Sequence, residues 1–342
     1  MAAALPMPPA RRVILAAGLP VVLALIAFAS YGWVNRTVAY LASQTQVGYS
    51  VGFSVPAAGG TARVTTSDGN LTVRAGPSRQ IVVRGHLRSS FARPHFTYRS
   101  TAAGLALDPQ CRVPSGTCSF DFGITVPAGL PVNVSDSFGE LDARGLHGTV
   151  ALSDNSGDLT ASRLTGNIQL GDSFGTLTAS GLSGRLQLDN NSGDIRASGV
   201  NGDTRLQDSF GTIAVSGLAA DDVVASNNSG DITLTFTRVP QRVNVTDSFG
   251  NITIVLPSGA TAYRVTTHDS FGATNVRVPR SPTARNVITA SNNSGDITIV
   301  TQEQPPPPAS PPAAPGGPAR PGLSQGRVTP SVAWTARRTM RA

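Results

Sequence analysis

The sequence predicts an all-β fold: a right-handed, single-stranded parallel β-helix, or solenoid, with an N-terminal transmembrane helix and a disordered Pro-rich C-terminal tail. Three observations lead there. One short turn recurs nine times, as Asp-Ser-Phe-Gly at 136–139, 172–175, 208–211, 247–250 and 269–272, and as Asn-Ser-Gly-Asp at 155–158, 191–194, 228–231 and 293–296. Aligned on glycine, the copies lie 18, 18, 18, 18, 19, 20, 22 and 23 residues apart, and a period of about 20 residues is the signature of a solenoid. The second observation is that apolar residues keep fixed offsets from each glycine. The third is that no helix-length apolar pattern interrupts the repeats, so neighbouring repeats pair only by coiling.

Two residues after the glycine stand Leu141, Leu159, Leu177, Ile195, Ile213, Ile232, Ile252 and Ile297, with Thr274 the exception. Four after it stand Ala143, Ala161, Ala179, Ala197, Val215, Leu234, Ile254, Val276 and Ile299. Before it, Val132 with Val134, Val150 with Leu152, Ile168 with Leu170 and Leu186 with Leu188 mark a second strand. Each pair has period two, so each strand has one buried face. A second turn, such as Gly145-Leu-His-Gly148 or Gly181-Leu-Ser-Gly184, supplies a fifth inward column of Leu146, Leu164, Leu182, Val200 and Leu218. Crossover chirality favours the right-handed coil.

The chain before the repeats divides into four parts. Residues 1–12 end in Arg11-Arg12, and 13–34 is a 22-residue uncharged, mostly apolar run closed by Tyr31 and Trp33. Its length spans a bilayer, and the arginines favour a cytoplasmic N-terminus with the remainder of the chain outside. The competing expectation is a secreted protein cleaved near Ala29, because Ala27-Phe-Ala29 is a small-x-small site. Residues 35–50 read as a polar stalk. Residues 51–130 contain irregular β-like runs and a degenerate copy of the turn, Ser67-Asp-Gly-Asn-Leu71. This block is expected to be a leading coil and a cap, which solenoid ends require. The only cysteines, Cys111 and Cys118, lie in it and are expected to form a disulfide, as an isolated pair in an exported chain does.

Residues 131–300 hold the solenoid repeats, with insertions near 257–260 and 279–284 that map to loops. The 301–342 segment, opening with Pro305-Pro-Pro-Pro308, reads as a spacer or linker. The net charge of +7 is not a nucleic-acid signal. Residues 51–130 carry eight arginines against three aspartates, 131–300 carry 11 arginines against 16 acids, and the remaining excess sits in the two terminal segments. A basic block beneath an acidic stack is expected.

Two further columns are candidate functional surfaces. Three residues before each glycine stands Asp or Asn: Asp136, Asp154, Asp172, Asn190, Asp208, Asn227, Asp247, Asp269 and Asn292. Such side chains hydrogen-bond the backbone of a turn they begin, and stacked they form a ladder. Just before the glycine, Phe138, Phe174, Phe210, Phe249 and Phe271 alternate with serines. Alternation leaves each ring room at a packed corner; facing outward, the same rings would form an aromatic stripe able to bind glycan or protein.

Catalytic motifs are weak. Gly171-Asp-Ser-Phe-Gly175 fits a nucleophile-elbow pattern, but it is one repeat copy and no helix follows. Stacked Asp136, Asp154 and Asp172 have the separation of a retaining carboxylate pair, yet the column runs the whole length, so no one place is special. The same acids, with Asp158 and Asp194 near, could hold Ca²⁺, although the calcium nonapeptide is absent. His86, His95, His147 and His268 show no ligand spacing. No enzyme, cofactor or metal site is expected.

The apolar anchor, the paired cysteines followed by Ser119-Phe-Asp-Phe-Gly-Ile-Thr-Val-Pro127, and the serial Ser-Gly-Asp and Ser-Phe-Gly turns together resemble the bacterial putative adhesin family. The resemblance covers roughly residues 51–300. It implies a single-pass cell-envelope protein whose ectodomain is a β-solenoid, catalogued as a domain of unknown function. It also implies a non-enzymatic surface role, and some relatives are tied to envelope-stress sensing; the partner expected for the solenoid's extended faces is cell-wall polymer or an envelope protein.

Overall fold

The computed structural model describes residues 46–57, 60–90, 93–101, 104–111 and 118–302. The expected N-terminus at 1–12, the transmembrane segment at 13–34 with its cleavage site near Ala29, and the tail from 303 lie outside them. Among the described residues no helix is long and apolar enough to cross a membrane. Their regular structure is β throughout.

The first seven strands are β1 (Gln46–Pro56), β2 (Ala62–Thr66), β3 (Asn70–Gly76), β4 (Gln80–Ser90), β5 (His95–Thr101), β6 (Gly104–Gln110) and β7 (Cys118–Pro127). Because β1 begins at Gln46, the end of the expected stalk is strand. β1 pairs antiparallel with β4, β4 with β7, and β5 with β6. These antiparallel strands close one end of the stack, where a parallel edge would otherwise stay unpaired. Phe53 stacks on Tyr98 with centroids 4.0 Å apart, and Phe96 lies 5.4 Å from Phe122.

The repeats supply β8 (Val132–Ser135), β9 (Leu141–Arg144), β10 (His147–Ser153), β11 (Leu159–Ser162), β12 (Thr165–Phe174), β13 (Leu177–Ser192), β14 (Ile195–Asn201), β15 (Thr204–Gln207) and β16 (Ile213–Leu218). They continue as β17 (Asp222–Ser226), β18 (Ile232–Phe236), β19 (Arg242–Thr246), β20 (Ile252–Leu256), β21 (Tyr263–Phe271), β22 (Thr274–Arg277), β23 (Asn286–Ser294) and β24 (Ile297–Thr301). Every pairing among them is parallel and joins equal offsets, as Leu141 to Leu159, Leu159 to Leu177, Leu177 to Ile195 and Ile195 to Ile213, except that the register slips between β16 and β18, where Leu218 meets Phe236. The offsets therefore stack as columns, and their apolar members form one core in which Leu159, Leu177, Ile195 and Ile213 are fully buried. At the turn, each glycine N–H donates to the next layer, as Gly157 does to the Phe174 carbonyl at 3.1 Å. Glycine is obligatory there: at Gly157, φ is 150°, and a Cβ would overlap the Gly139 carbonyl oxygen of the layer beneath.

Sequence order and stacking order part company at both ends, which corrects the expectation that consecutive repeats always pair. The first coil, β2 and β3, lies between the coil of β6 and β7 and the coil of β8 and β9. At the other end β23 pairs with both β19 and β21, and β24 with both β20 and β22. The last coil is thus inserted beneath the one before it. Burial explains the choice. Ile288, Ala290, Ile297 and Ile299 of the inserted coil are fully buried, whereas the coil left at the end offers exposed Thr274 and half-buried Val276. The longer spacings of 22 and 23 residues occur where the chain passes one layer and then returns.

Candidate functional site

The corner formed by the repeated turn carries both candidate columns. The Asx column lies inside it. Asp136, Asp154, Asp172, Asn190, Asp208, Asn227, Asp247 and Asn292 are all buried, with Asp154 only 1% exposed; Asp269, in the end coil, is half-buried. The amide members bridge layers: Asn190 Nδ2 donates to the Gly175 carbonyl at 3.0 Å, Asn227 Nδ2 to Gly211 at 2.8 Å, and Asn292 Nδ2 to Gly250 at 2.7 Å. Three of the carboxylate members accept the N–H of the next residue at one oxygen. Asp136 takes the Ser137 N–H at 2.7 Å, Asp208 the Ser209 N–H at 2.7 Å, and Asp247 the Ser248 N–H at 2.8 Å. The other oxygen of each has no partner among the described residues.

Burial is the first cause of the raised pKa values of these carboxyls, and neighbouring aspartates add to it. Asp136 is pushed up to about 7, and Asp172, Asp208 and Asp247 to about 6. Desolvation penalises the charged form, and the unpartnered oxygen offers nothing to offset it. Carboxylates sunk this far lie beyond the reach of a polymer on the surface. The acids after the glycine act differently. Asp158 accepts the Thr176 N–H, Asp194 the Thr212 N–H, and Asp296 the Ala273 N–H, each at 2.9 Å and each in the next layer. Among the described residues no three His, Cys, Asp or Glu side chains converge on a metal-sized site.

The phenyl column points the other way. Phe138, Phe174, Phe210 and Phe249 are 56–57% exposed and Phe271 is 75% exposed. Of the two readings of this column, the outward stripe is the one found. Serines bridge the rings in register: Phe174 to Ser192, Ser192 to Phe210, Phe210 to Ser229, Ser229 to Phe249, Phe249 to Ser294, and Ser294 to Phe271. In the stack the alternation is unbroken. In the sequence it fails once, where Phe249 and Phe271 follow one another, and that failure marks the inserted coil. The rings recur at every second layer, about 9.6 Å apart at the usual strand spacing.

Cys111 and Cys118 form a disulfide with Cα atoms 5.9 Å apart, closing the connection from β6 to β7. Arg163 is a residue that the column pattern passes over. It occupies the slot that Gly145, Gly181, Gly199 and Gly217 fill in sister coils, and that substitution was its visible signal in the sequence.

A parallel β-solenoid with a one-dimensional exposed aromatic array is the class of protein this geometry defines. The chain belongs to the Toastrack DUF4097 family, whose sequence model matches residues 112–300, more than half its length. A putative cell adhesion protein from Clostridium sporogenes ATCC 15579, known from a crystal structure, is similar over 75% of this chain and 100% of its own, at 13% identity and a TM-score of 0.22. A comparison with curated protein sequences finds no match.

Proposed function

We propose that the chain is a non-enzymatic extracytoplasmic cell-envelope protein, an adhesin-like binding scaffold that engages wall polymer or an envelope protein along its aromatic stripe. The carrying observation is the set of five phenyl rings, each more than half exposed, on one corner of a parallel stack. Exposed apolar arrays of this size mark interaction surfaces. A linear partner touching several rings at once gains from multivalency, since each further contact becomes intramolecular. The run at 13–34 after Arg11-Arg12 supports attachment to the membrane with the stack outside.

Replacing Phe174 and Phe210 with serine installs the residue that adjacent layers already carry. The double variant of the full chain should bind isolated cell wall about tenfold more weakly, a difference of about 1.4 kcal/mol. Its melting temperature should stay within about 2 °C of wild type, because exposed substitutions change stability by about 0.5 kcal/mol or less. Wall binding equal to wild type would refute the stripe as the binding surface.

A further inference from the structure

Where the cap meets the first repeats, Thr72, Arg74, Asp142, Arg144, Gly145 and Arg163 line a surface groove of about 430 Å³. Three of the six are arginines on successive layers. Arg74 and Arg144 are register partners on β3 and β9, and Arg144 in turn faces Ser162, the residue before Arg163, on β11. Like charges directly opposite one another on a sheet are destabilising. Asp142 relieves Arg144, with Oδ2 and Nη2 at 2.6 Å. None of the four ion pairs among the described residues includes Arg74 or Arg163. The groove thus concentrates positive charge with one carboxylate to balance three guanidinium groups.

Backbone geometry singles out Arg163. Its φ is 53°, in the left-handed region, and it is the one residue other than glycine at positive φ among the described residues. The four sister coils put glycine in this slot, with φ between 61° and 65°. Leu164 beside it fills the inward column just as Leu146 and Leu182 do, so the fold has no need of an arginine here. A non-glycine residue held at positive φ beside a charged groove is backbone strain of the kind that gathers at binding sites.

We infer that this groove is an oxyanion site, taking a phosphate group through Arg74 and Arg163, with Arg144 as a third donor held in place by Asp142. Guanidinium forks match phosphate oxygens in pairs, and a bound dianion removes the repulsion along the arginine row. The phosphate belongs either to a soluble or polymer-borne ester or to a lipid headgroup, and the chemistry of the groove is the same for both. This site is separate from the phenyl corner and does not depend on the function proposed above.

The test uses the full chain with Arg163→Gly and Arg74→Gln. Inorganic phosphate and glycerol phosphate are titrated calorimetrically at low salt, and vesicle binding is read as the difference in co-sedimentation between vesicles with and without phosphatidylglycerol, so that any insertion of the 13–34 run cancels. Arg163→Gly restores the sister residue, so it should melt at or above the wild-type temperature while losing affinity at least tenfold; Arg74→Gln should weaken binding similarly. Loss confined to the soluble phosphates identifies an ester or polymer ligand, and loss confined to vesicles identifies a headgroup. Either result supports the site. Absence of binding to both probes, or affinity in both variants equal to wild type, overturns it. Phe174→Ser should leave phosphate affinity unchanged, which keeps this outcome distinct from that of the aromatic stripe.

Discussion

Asp208 and Asn190 occupy the same place in successive coils and differ in one polar group. Asn190 Nδ2 donates to the Gly175 carbonyl, whereas Asp208 Oδ2, which borders the Gly211 Cβ position as the Gly193 carbonyl oxygen does, has no partner and nothing to donate unless it is protonated. A neutral carboxyl can do what the amide does. This account agrees with a folded pKa of about 6, well above the ordinary 3.8, caused first by burial and opposed by the Ser209 and Phe210 amides. The sign of the pH effect follows. With the folded pKa raised, the native state holds its proton after the unfolded chain has lost one. The stabilisation is then complete below about pH 4 and disappears as pH rises through about 6 for Asp172, Asp208 and Asp247 and about 7 for Asp136. The melting temperature should therefore fall between pH 4 and pH 7. Asp208→Asn should raise stability at pH 7.5 by about 1 kcal/mol, the worth of one hydrogen bond, and should leave it unchanged at pH 4. Thermal melts of both proteins at the two pH values check this. A variant less stable than wild type at pH 7.5 would rule out the isostere account.

At the scale of the strand and coil, the sequence carries most of the answer. The offsets of Leu159, Leu177 and Ile195 specify both which residues face inward and which stack, because a period of two with a fixed glycine leaves one register. Stacking order was less legible. Sequence proximity is a strong guide to pairing, and among the nine repeats it fails only where the terminal coil is too polar to sit inside. Thr274 and the successive Phe249 and Phe271 are the traces of that exception, and both become intelligible once β23 is placed between β19 and β21. The exposure of the phenyl column could not be read either, since a large-small alternation suits a packed corner and an open edge equally. Cysteine cross-linking tests the insertion. Asn244 and Thr289 are register partners, and so are Thr289 and Thr266, which puts Asn244 and Thr266 two layers apart. Asn244→Cys with Thr289→Cys should oxidise readily. Asn244→Cys with Thr266→Cys should not, because about 9.6 Å between strands exceeds the disulfide reach of about 7 Å. The opposite pattern on a non-reducing gel would restore simple sequence order.

Across the whole stack, the natural unit is two layers. Ring and serine alternate from Phe138 to Phe271, and from Asp172 onward acid and amide alternate as Asp172, Asn190, Asp208, Asn227, Asp247, Asn292 and Asp269 in stacking order. The acids after the glycine keep the same beat, with Asp158, Asp194 and Asp231 each accepting an amide from a layer that lacks one. Alternation keeps like charges about 9.6 Å apart instead of about 4.8 Å. Stability in such stacks is approximately a sum of layer and interface terms, so what a deletion does depends on the interface it creates. Removing residues 176–211 takes out two whole layers and joins Gly175 to Thr212, so that Asp172 meets Asn227 and Phe174 meets Ser229. Removing residues 176–193 takes out one layer and joins Gly175 to Asp194. Asp172 then lies against Asp208, Asp158 against Asp194, and Phe174 against Phe210. Each new acid pair is destabilising by up to about 1 kcal/mol, or about 2–4 °C for a domain of this size. The shorter deletion should consequently melt several degrees below the longer one. Calorimetry on the two proteins decides the matter, since a stack indifferent to parity would instead lose stability in proportion to the number of residues removed.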